Sequence, residues 1–313
     1  MALYVVTGGA GFIGSHLAQA LLARGEKVRV ADSFITGNRG NLEAIGSGVE
    51  LVEGDLADAA VARRAVAGAD YVLHQAAIPS VPRSVDDPVT SHRANVDATL
   101  QVLVASREAG VKRVVYAASS SAYGDTPEMP KREDMPTNPL SPYALQKLIG
   151  EQYMQMFTAL YGLETVSTRY FNVFGPRQDP SSPYSGVIAL FATALLSGKV
   201  PTITGDGEQT RDFTYVANIV DGVLLAAKAP KASGEVINVA TGRQISINEL
   251  ARTLGNVIGN TKPPVHMDSR AGDVRHSLAD INKARTLLGY APTVDLEEGL
   301  RKTVDWYRAT GKS

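Results

Sequence analysis

Eleven residues near the start, Tyr4-Val5-Val6-Thr7-Gly8-Gly9-Ala10-Gly11-Phe12-Ile13-Gly14, restrict the fold more than any other stretch. The apolar run over 3–6 needs burial on both faces, and glycines follow it at once, as where a parallel strand feeds a crossover helix. Gly9, Gly11 and Gly14 satisfy a G-x-G-x-x-G pattern, while Gly8, Gly11 and Gly14 satisfy its G-x-x-G-x-x-G variant. The glycines of such a turn permit a tight bend, let a pyrophosphate approach the backbone and let a helix over 15–24 pack against its strand. The start of that helix presents the positive end of its dipole to the phosphates. A second strand, Val28-Arg29-Val30-Ala31, ends in Asp32, eighteen residues after Gly14. A carboxylate there accepts hydrogen bonds from an adenosine ribose and repels a 2′-phosphate, which selects NAD over NADP.

At 313 residues, the chain has room for such a dinucleotide domain and a smaller second one. The expected fold is α/β: a Rossmann-type doubly wound parallel sheet over 1–171, with a return segment near 213–239, and a smaller C-terminal α/β substrate-binding lobe over 172–313. The 31 basic and 32 acidic residues leave a net charge of −1, so no broad basic surface asks for nucleic acid. The lack of cysteine excludes disulfides, thiolate zinc sites and a cysteine nucleophile, and suits a reducing compartment. His16, His74, His92, His266 and His276 show no metal-ligand spacing, so no metal is expected. The chain opens directly on a strand, and its longest apolar run, 187–196, is too short for a bilayer. The expectation is a cytoplasmic protein without membrane contact.

Further carboxyl-end positions collect polar groups. A strand over 49–53 leads to Asp55 and Leu56, and one over 71–77 ends in Ala76 and Ala77, which allow a cofactor close approach. A helical pattern over 88–109 contains Asn95, either a buried polar anchor or a surface residue. The loop over 36–40 either covers the adenosine half of the cofactor or is simply solvated. A strand over 111–118 delivers Ser119, Ser120 and Ser121. In Ser141-Pro142-Tyr143-Ala144-Leu145-Gln146-Lys147, a serine N-cap and a proline in the first turn start a helix that puts Tyr143 and Lys147 on one face. A tyrosine with an ordinary pKa of about 10 is a poor base, but a neighbouring ammonium and a positive nicotinamide ring both favour its phenolate.

Taken in order, the glycine turn, Ser119, Tyr143-x-x-x-Lys147 and Arg169-Tyr170-Phe171-Asn172-Val173-Phe174-Gly175-Pro176 resemble the extended short-chain dehydrogenase/reductase superfamily over essentially the whole chain. The runs 117–124 and 170–180 are most similar to the UDP-hexose 4-epimerases, especially those acting on UDP-N-acetylglucosamine. That resemblance implies reversible C4 epimerisation of a UDP-sugar through a 4-keto intermediate, with NAD kept bound. It makes Tyr143 the base, Lys147 its electrostatic partner and nicotinamide-ribose ligand, and Ser119 a bridge between sugar hydroxyl and phenolate. It places Gly8, Gly11, Phe12, Ile13, Gly14, Asp32, Ser33, Asn38, Asp55, Leu56, Ala76, Ala77, Asn95 and Tyr170 around the cofactor with the catalytic pair. Arg211 and Arg270 would clamp the diphosphate and Asp273 the uridine ribose, with Ser84, Ser121, Asn172, Val187, Thr202 and Thr204 also lining the substrate site. Ser277 would stand beside the sugar's C2 substituent, with Ser80, Ser84 and Ser121 as polar contacts for an N-acetyl group. The family commonly forms homodimers through the helix bearing Tyr143, whose stripe Leu145, Leu148, Ile149, Gln152, Met156 and Leu160 is either that interface or core.

The alternatives are a UDP-glucuronate 4-epimerase or decarboxylase and a nucleotide-sugar 4,6-dehydratase. Dehydratases carry an aspartate and a glutamate, and decarboxylases a glutamate, where this chain has Ser120 and Ser121. A non-catalytic NAD sensor would lack part of the serine, tyrosine and lysine set, which is complete.

Overall fold

The computed structural model describes residues 1–46, 48–180, 186–268 and 275–311. Its large lobe carries a seven-stranded sheet made of β1 (Leu3–Thr7), β2 (Lys27–Asp32), β3 (Val49–Glu53), β4 (Tyr71–His74), β5 (Arg113–Ser119), β6 (Glu164–Tyr170) and β7 (Glu235–Val239). All neighbours pair in parallel, in the spatial order β7-β6-β5-β4-β1-β2-β3. The order reverses between β1 and β4, and in open sheets ligands sit in the crevice outside the strands' carboxyl ends at that point.

Both faces of the sheet are covered, which explains the continuous apolar runs in the strands. On one face α1 (Phe12–Ala23) and the helix Val216–Lys228 bury Leu17, Leu21, Val220, Val223 and Leu224 together with Tyr290. On the other, helices Ala59–Val66, Ala98–Glu108 and Pro142–Tyr161 bury Val61, Val102, Leu103, Met154 and Phe157. The smaller lobe packs helices Val187–Leu196, Ile247–Ile258 and Leu296–Thr310 around Phe191, Leu195, Leu250, Leu254, Leu300 and Tyr307. Its ladders are short: Thr202–Thr204 pairs with Val265–Met267, and Thr210–Arg211 with Ile245–Ser246.

Two expectations are corrected. β4 stops at His74 instead of reaching Ala77, because the N–H groups of Gln75 and Ala76 turn to the Thr7 hydroxyl at 3.1 and 3.2 Å. The helical stretch over 88–109 is broken into Pro88–His92, a π-helical turn Arg93–Asp97 and Ala98–Glu108. The stripe on Pro142–Tyr161 divides, with Leu148 buried in the core while Leu145, Met156 and Leu160 are 48%, 51% and 65% exposed. Among the described residues no helix is long and apolar enough to cross a membrane.

Candidate active site

A cavity of about 1050 Å³ runs from the glycine turn across the carboxyl ends of β1, β4, β5 and β6 to the small lobe. It exceeds the roughly 300–1,000 Å³ of a single small-molecule pocket. Gly8 opens it with φ +64°, a left-handed conformation that glycine adopts without strain, and a Cβ there would lie 2.8 Å from Ala76 backbone atoms. At Gly14 a Cβ would lie 2.2 Å from the Gly8 carbonyl oxygen, so α1 sits this close to its turn only with glycine in place. A Cβ on Gly11 would meet only that carbonyl oxygen within 4 Å, at 3.1 Å, and would otherwise fill the mouth of the cradle.

Asp32 is buried at the end of β2, where Oδ2 accepts from Ala10 N at 2.9 Å and Oδ1 from Phe34 N at 2.8 Å. Burial pushes its carboxyl up, against these backbone donors. Each oxygen retains a second acceptor position, so the carboxylate fits a pair of ribose hydroxyls. Open glycine backbone, a helix N-terminus and this carboxylate together fit a dinucleotide. Ser33, Asn38, Asp55, Leu56, Phe12 and Ile13 line the same end of the cavity.

Beneath the turn runs a buried hydrogen-bond chain. Thr99 Oγ1 donates to Asn95 O at 2.7 Å and therefore accepts from His74 Nε2 at 3.0 Å. His74 Nδ1 then accepts from Thr7 Oγ1 at 2.7 Å, and the Thr7 oxygen receives the Gln75 and Ala76 N–H groups. Burial pushes the His74 imidazole down to about 3, which keeps it neutral and the chain directional. The strand-end backbone under Gly8 is thereby fixed by side chains that never reach the cavity.

At the carboxyl end of β5, Ser119 Oγ accepts from Ser121 N at 3.2 Å and from Ser121 Oγ at 2.8 Å, beside the tight turn Ser120–Tyr123. Ser141 caps the next helix by accepting from Ala144 N at 3.1 Å. Tyr143 and Lys147 project from its first turns into the cavity beside Ser119 and Tyr170. Burial pushes the Tyr143 phenol up to about 12, and a hydrogen bond with Ser119 opposes that rise. Burial pushes the Lys147 ammonium down to about 7, and its Nζ donates to Ala117 O at 2.9 Å. In the chain alone, then, Tyr143 keeps its proton, and the depression expected from Lys147 is absent because burial dominates at both groups.

Ala76, Ala77, Ser80, Ser121, Asn172, Arg211 and Ser277 also line the cavity. Asn95 does not reach it: Oδ1 accepts from Ile78 N at 2.8 Å and Nδ2 donates to Gln146 Oε1 at 2.8 Å, tying the loop after β4 to the helix of Tyr143. Ser84 also lies behind the wall, donating to Val81 O at 2.7 Å and accepting from Tyr143 N at 3.0 Å. Val187, Thr202 and Thr204 stand outside the lining as well. Arg270 and Asp273 lie outside the described residues. Five charged lining residues were given no role from sequence: Arg83, Arg93, Lys131, Arg177 and Asp179. Arg93 reaches Asp55 from the π turn at 2.9 Å, a pairing without a local sequence signal; Arg177 sits in the 170–180 run that carried the family resemblance. Among the described residues no group of three or more His, Asp or Glu is placed to hold a metal.

The family model of the NAD dependent epimerase/dehydratase family matches residues 4–240. The chain belongs to that family. The UDP-glucose 4-epimerase of Mycolicibacterium smegmatis is 41% identical over 308 residues, covering 97% of this chain and 98% of that one. A UDP-N-acetylglucosamine 4-epimerase from Methanobrevibacter ruminantium, solved in complex with UDP-N-acetylmuramic acid, superposes with a TM-score of 0.94 at 41% identity over 99% of both chains. A UDP-N-acetyl-alpha-D-glucosaminuronate decarboxylase of Bacillus cytotoxicus is 33% identical over 315 residues, covering 97% of each.

Proposed function

We propose that this protein is an NAD-dependent 4-epimerase that reversibly inverts C4 of a UDP-hexose and admits the N-acetylated sugars UDP-GlcNAc and UDP-GalNAc. The observation that carries the proposal is the convergence of Ser119, Tyr143 and Lys147 on one wall of a cavity that begins at the glycine turn. Gly11, Asp32 and the N-terminus of α1 would hold the cofactor's diphosphate and adenosine ribose, with Lys147 at the nicotinamide ribose. Bound there, NAD supplies reversible hydride acceptance at C4 and a positive ring charge near the phenol. Tyr143 takes the C4 hydroxyl proton and later returns one, while Ser119 orients that hydroxyl. That positive charge would join the Ser119 hydrogen bond in opposing burial and draw the phenol pKa down toward the working range.

Arg211, in the cavity wall, grips the diphosphate. Ser120 and Ser121 offer hydroxyls and no carboxylate, which favours epimerisation over dehydration or decarboxylation. The exposed Leu145, Met156 and Leu160 support a homodimer through the Pro142–Tyr161 helix. The test is a product assay with UDP-glucose, UDP-galactose and their N-acetylated counterparts, and with UDP-glucuronate in parallel, without added NAD. Interconversion of a gluco/galacto pair is expected, and loss of a carboxyl or of water from any substrate overturns the reading.

A further inference from the structure

Asn238 lies in the edge strand β7, fully buried, with 0% of its surface exposed. Four hydrogen bonds join it to three separate segments. Its Oδ1 accepts from the Tyr123 hydroxyl at 2.7 Å, at the end of the serine turn. Its Nδ2 donates to Lys131 O at 2.8 Å and to Asp280 O at 3.2 Å, and its backbone N–H donates to Glu133 Oε1 at 2.7 Å. Lys131 and the segment over 278–280 are also tied to each other, through Lys131 N to Leu278 O at 2.7 Å and Asp280 N to Lys131 O at 2.9 Å. Directly before that segment, Ser277 N donates to Thr210 O at 3.1 Å, which brings Ser277 next to Arg211 in the cavity wall.

One side chain therefore spans from the turn bearing Ser119 to the segment bearing Ser277. A surface hydrogen bond would slacken readily, but here every polar atom of a buried amide is committed, so moving either segment leaves a donor or acceptor unpaired. We propose that Asn238 is a positioning residue that fixes the separation of these two walls and thereby sets how tightly the sugar nucleotide is held. The inference rests on the function proposed above.

The test is Asn238→Asp, which keeps the shape and the acceptor for Tyr123 but turns the Nδ2 donor into an oxygen facing two carbonyl oxygens. The expected result is a KM for the UDP-sugar raised about tenfold or more, kcat reduced less than about threefold, unchanged NAD content, and faster hydrogen exchange over 278–280. Tyr123→Phe, which removes only the hydroxyl, should raise KM about threefold to tenfold, with an effect that is not additive with Asn238→Asp. If Asn238→Asp does not fold, the threefold-to-tenfold rise and faster exchange in Tyr123→Phe decide the matter. Unchanged KM in a folded variant, or a fall in melting temperature with KM and exchange unaltered, overturns the positioning role. Wild-type protein that interconverts none of the four sugars overturns the proposed function and this inference with it.

Discussion

The two ends of the cavity are made by different means. At the cofactor end, side chains hang from strand ends and helix starts that the sheet register fixes, such as Ser119 opposite Tyr170. At the small-lobe end, Arg211 and Ser277 hang from a two-residue ladder and a looped segment whose N–H groups donate to Thr210 O and Asp212 Oδ2 and whose Leu278 O accepts from Lys131 N. The first end is preorganised by burial and is suited to chemistry, where a small displacement is expensive. The second is held by hydrogen bonds between loops instead of by sheet register, and suits recognition of a sugar nucleotide.

The largest effect should come from the cofactor end. Tyr143→Phe removes the acid and base while keeping the ring that packs there, and turnover should fall on the order of 10²–10⁴-fold. UDP binding, measured by calorimetry, should change little if the nucleotide is held at the other end as proposed. Near-normal turnover would show that the chemistry does not reside in this wall.

Stability should divide the same way. Arg169 and Glu151 form a buried pair at 2.6 Å under the serine turn, with side chains 3% and 5% exposed. Arg169→Met strands a buried carboxylate and should lower unfolding free energy by about 3–5 kcal/mol in chemical denaturation. In the small lobe, Arg275 and Asp206 pair at 2.9 Å with side chains 60% and 54% exposed, so Arg275→Ala should change it by less than about 1 kcal/mol. Equal losses would erase the distinction between the lobes.

Acid should also strike the large lobe. Burial pushes His16 down to about 4 and His74 down to about 3, so both stay neutral in the folded chain well below the ordinary value of 6.5. The unfolded chain takes up those protons first, and the stability they contribute is full above about pH 6.5 and is lost as pH falls toward 4. Buried carboxyls such as Asp32 and Asp212, pushed up, act with the opposite sign. A substitution isolates the histidine part: His16→Asn should flatten the fall in melting temperature between pH 6.5 and 4. An unchanged slope would mean that His16 titrates normally.

The same division governs what the sequence discloses. The glycine turn, Asp32, the Ser141 cap and the Tyr143 and Lys147 spacing are local patterns whose periodicity carries their geometry. Asn238, Lys131 and the Arg93 pairing with Asp55 are brought together only by tertiary packing, across as many as 107 residues between Asn238 and Lys131. The high pKa of Tyr143 was illegible for the same reason: spacing shows that a lysine is near, but not that burial outweighs it. Asn95 and Ser84 mark a related limit, since a polar residue at the right place in the chain can brace a wall instead of facing the cavity.

The smallest effect concerns the small-lobe end and is a change of selectivity. Ser277 lines the cavity on a segment anchored on both sides, by its own N–H to Thr210 O and by Leu278 O to Lys131 N. A larger side chain there cannot be relieved by a shift of the backbone and must project into the space where the sugar is proposed to sit. Serine leaves that space open, which accounts for admission of an N-acetyl group but not for preference. Rejecting the smaller sugar requires polar groups that the plain hexose leaves unpaired, for which Ser80 and Ser121 in the cavity wall are candidates and the enclosed Ser84 is not. Ser277→Tyr should therefore abolish turnover of UDP-GlcNAc and UDP-GalNAc, whose N-acetyl group competes with the tyrosine ring for one space, while leaving kcat/KM for UDP-glucose and UDP-galactose within about tenfold of its original value, a change of under about 1.4 kcal/mol. Equal loss on both pairs would mean that the tyrosine blocks the nucleotide, and unchanged selectivity that Ser277 does not stand beside C2.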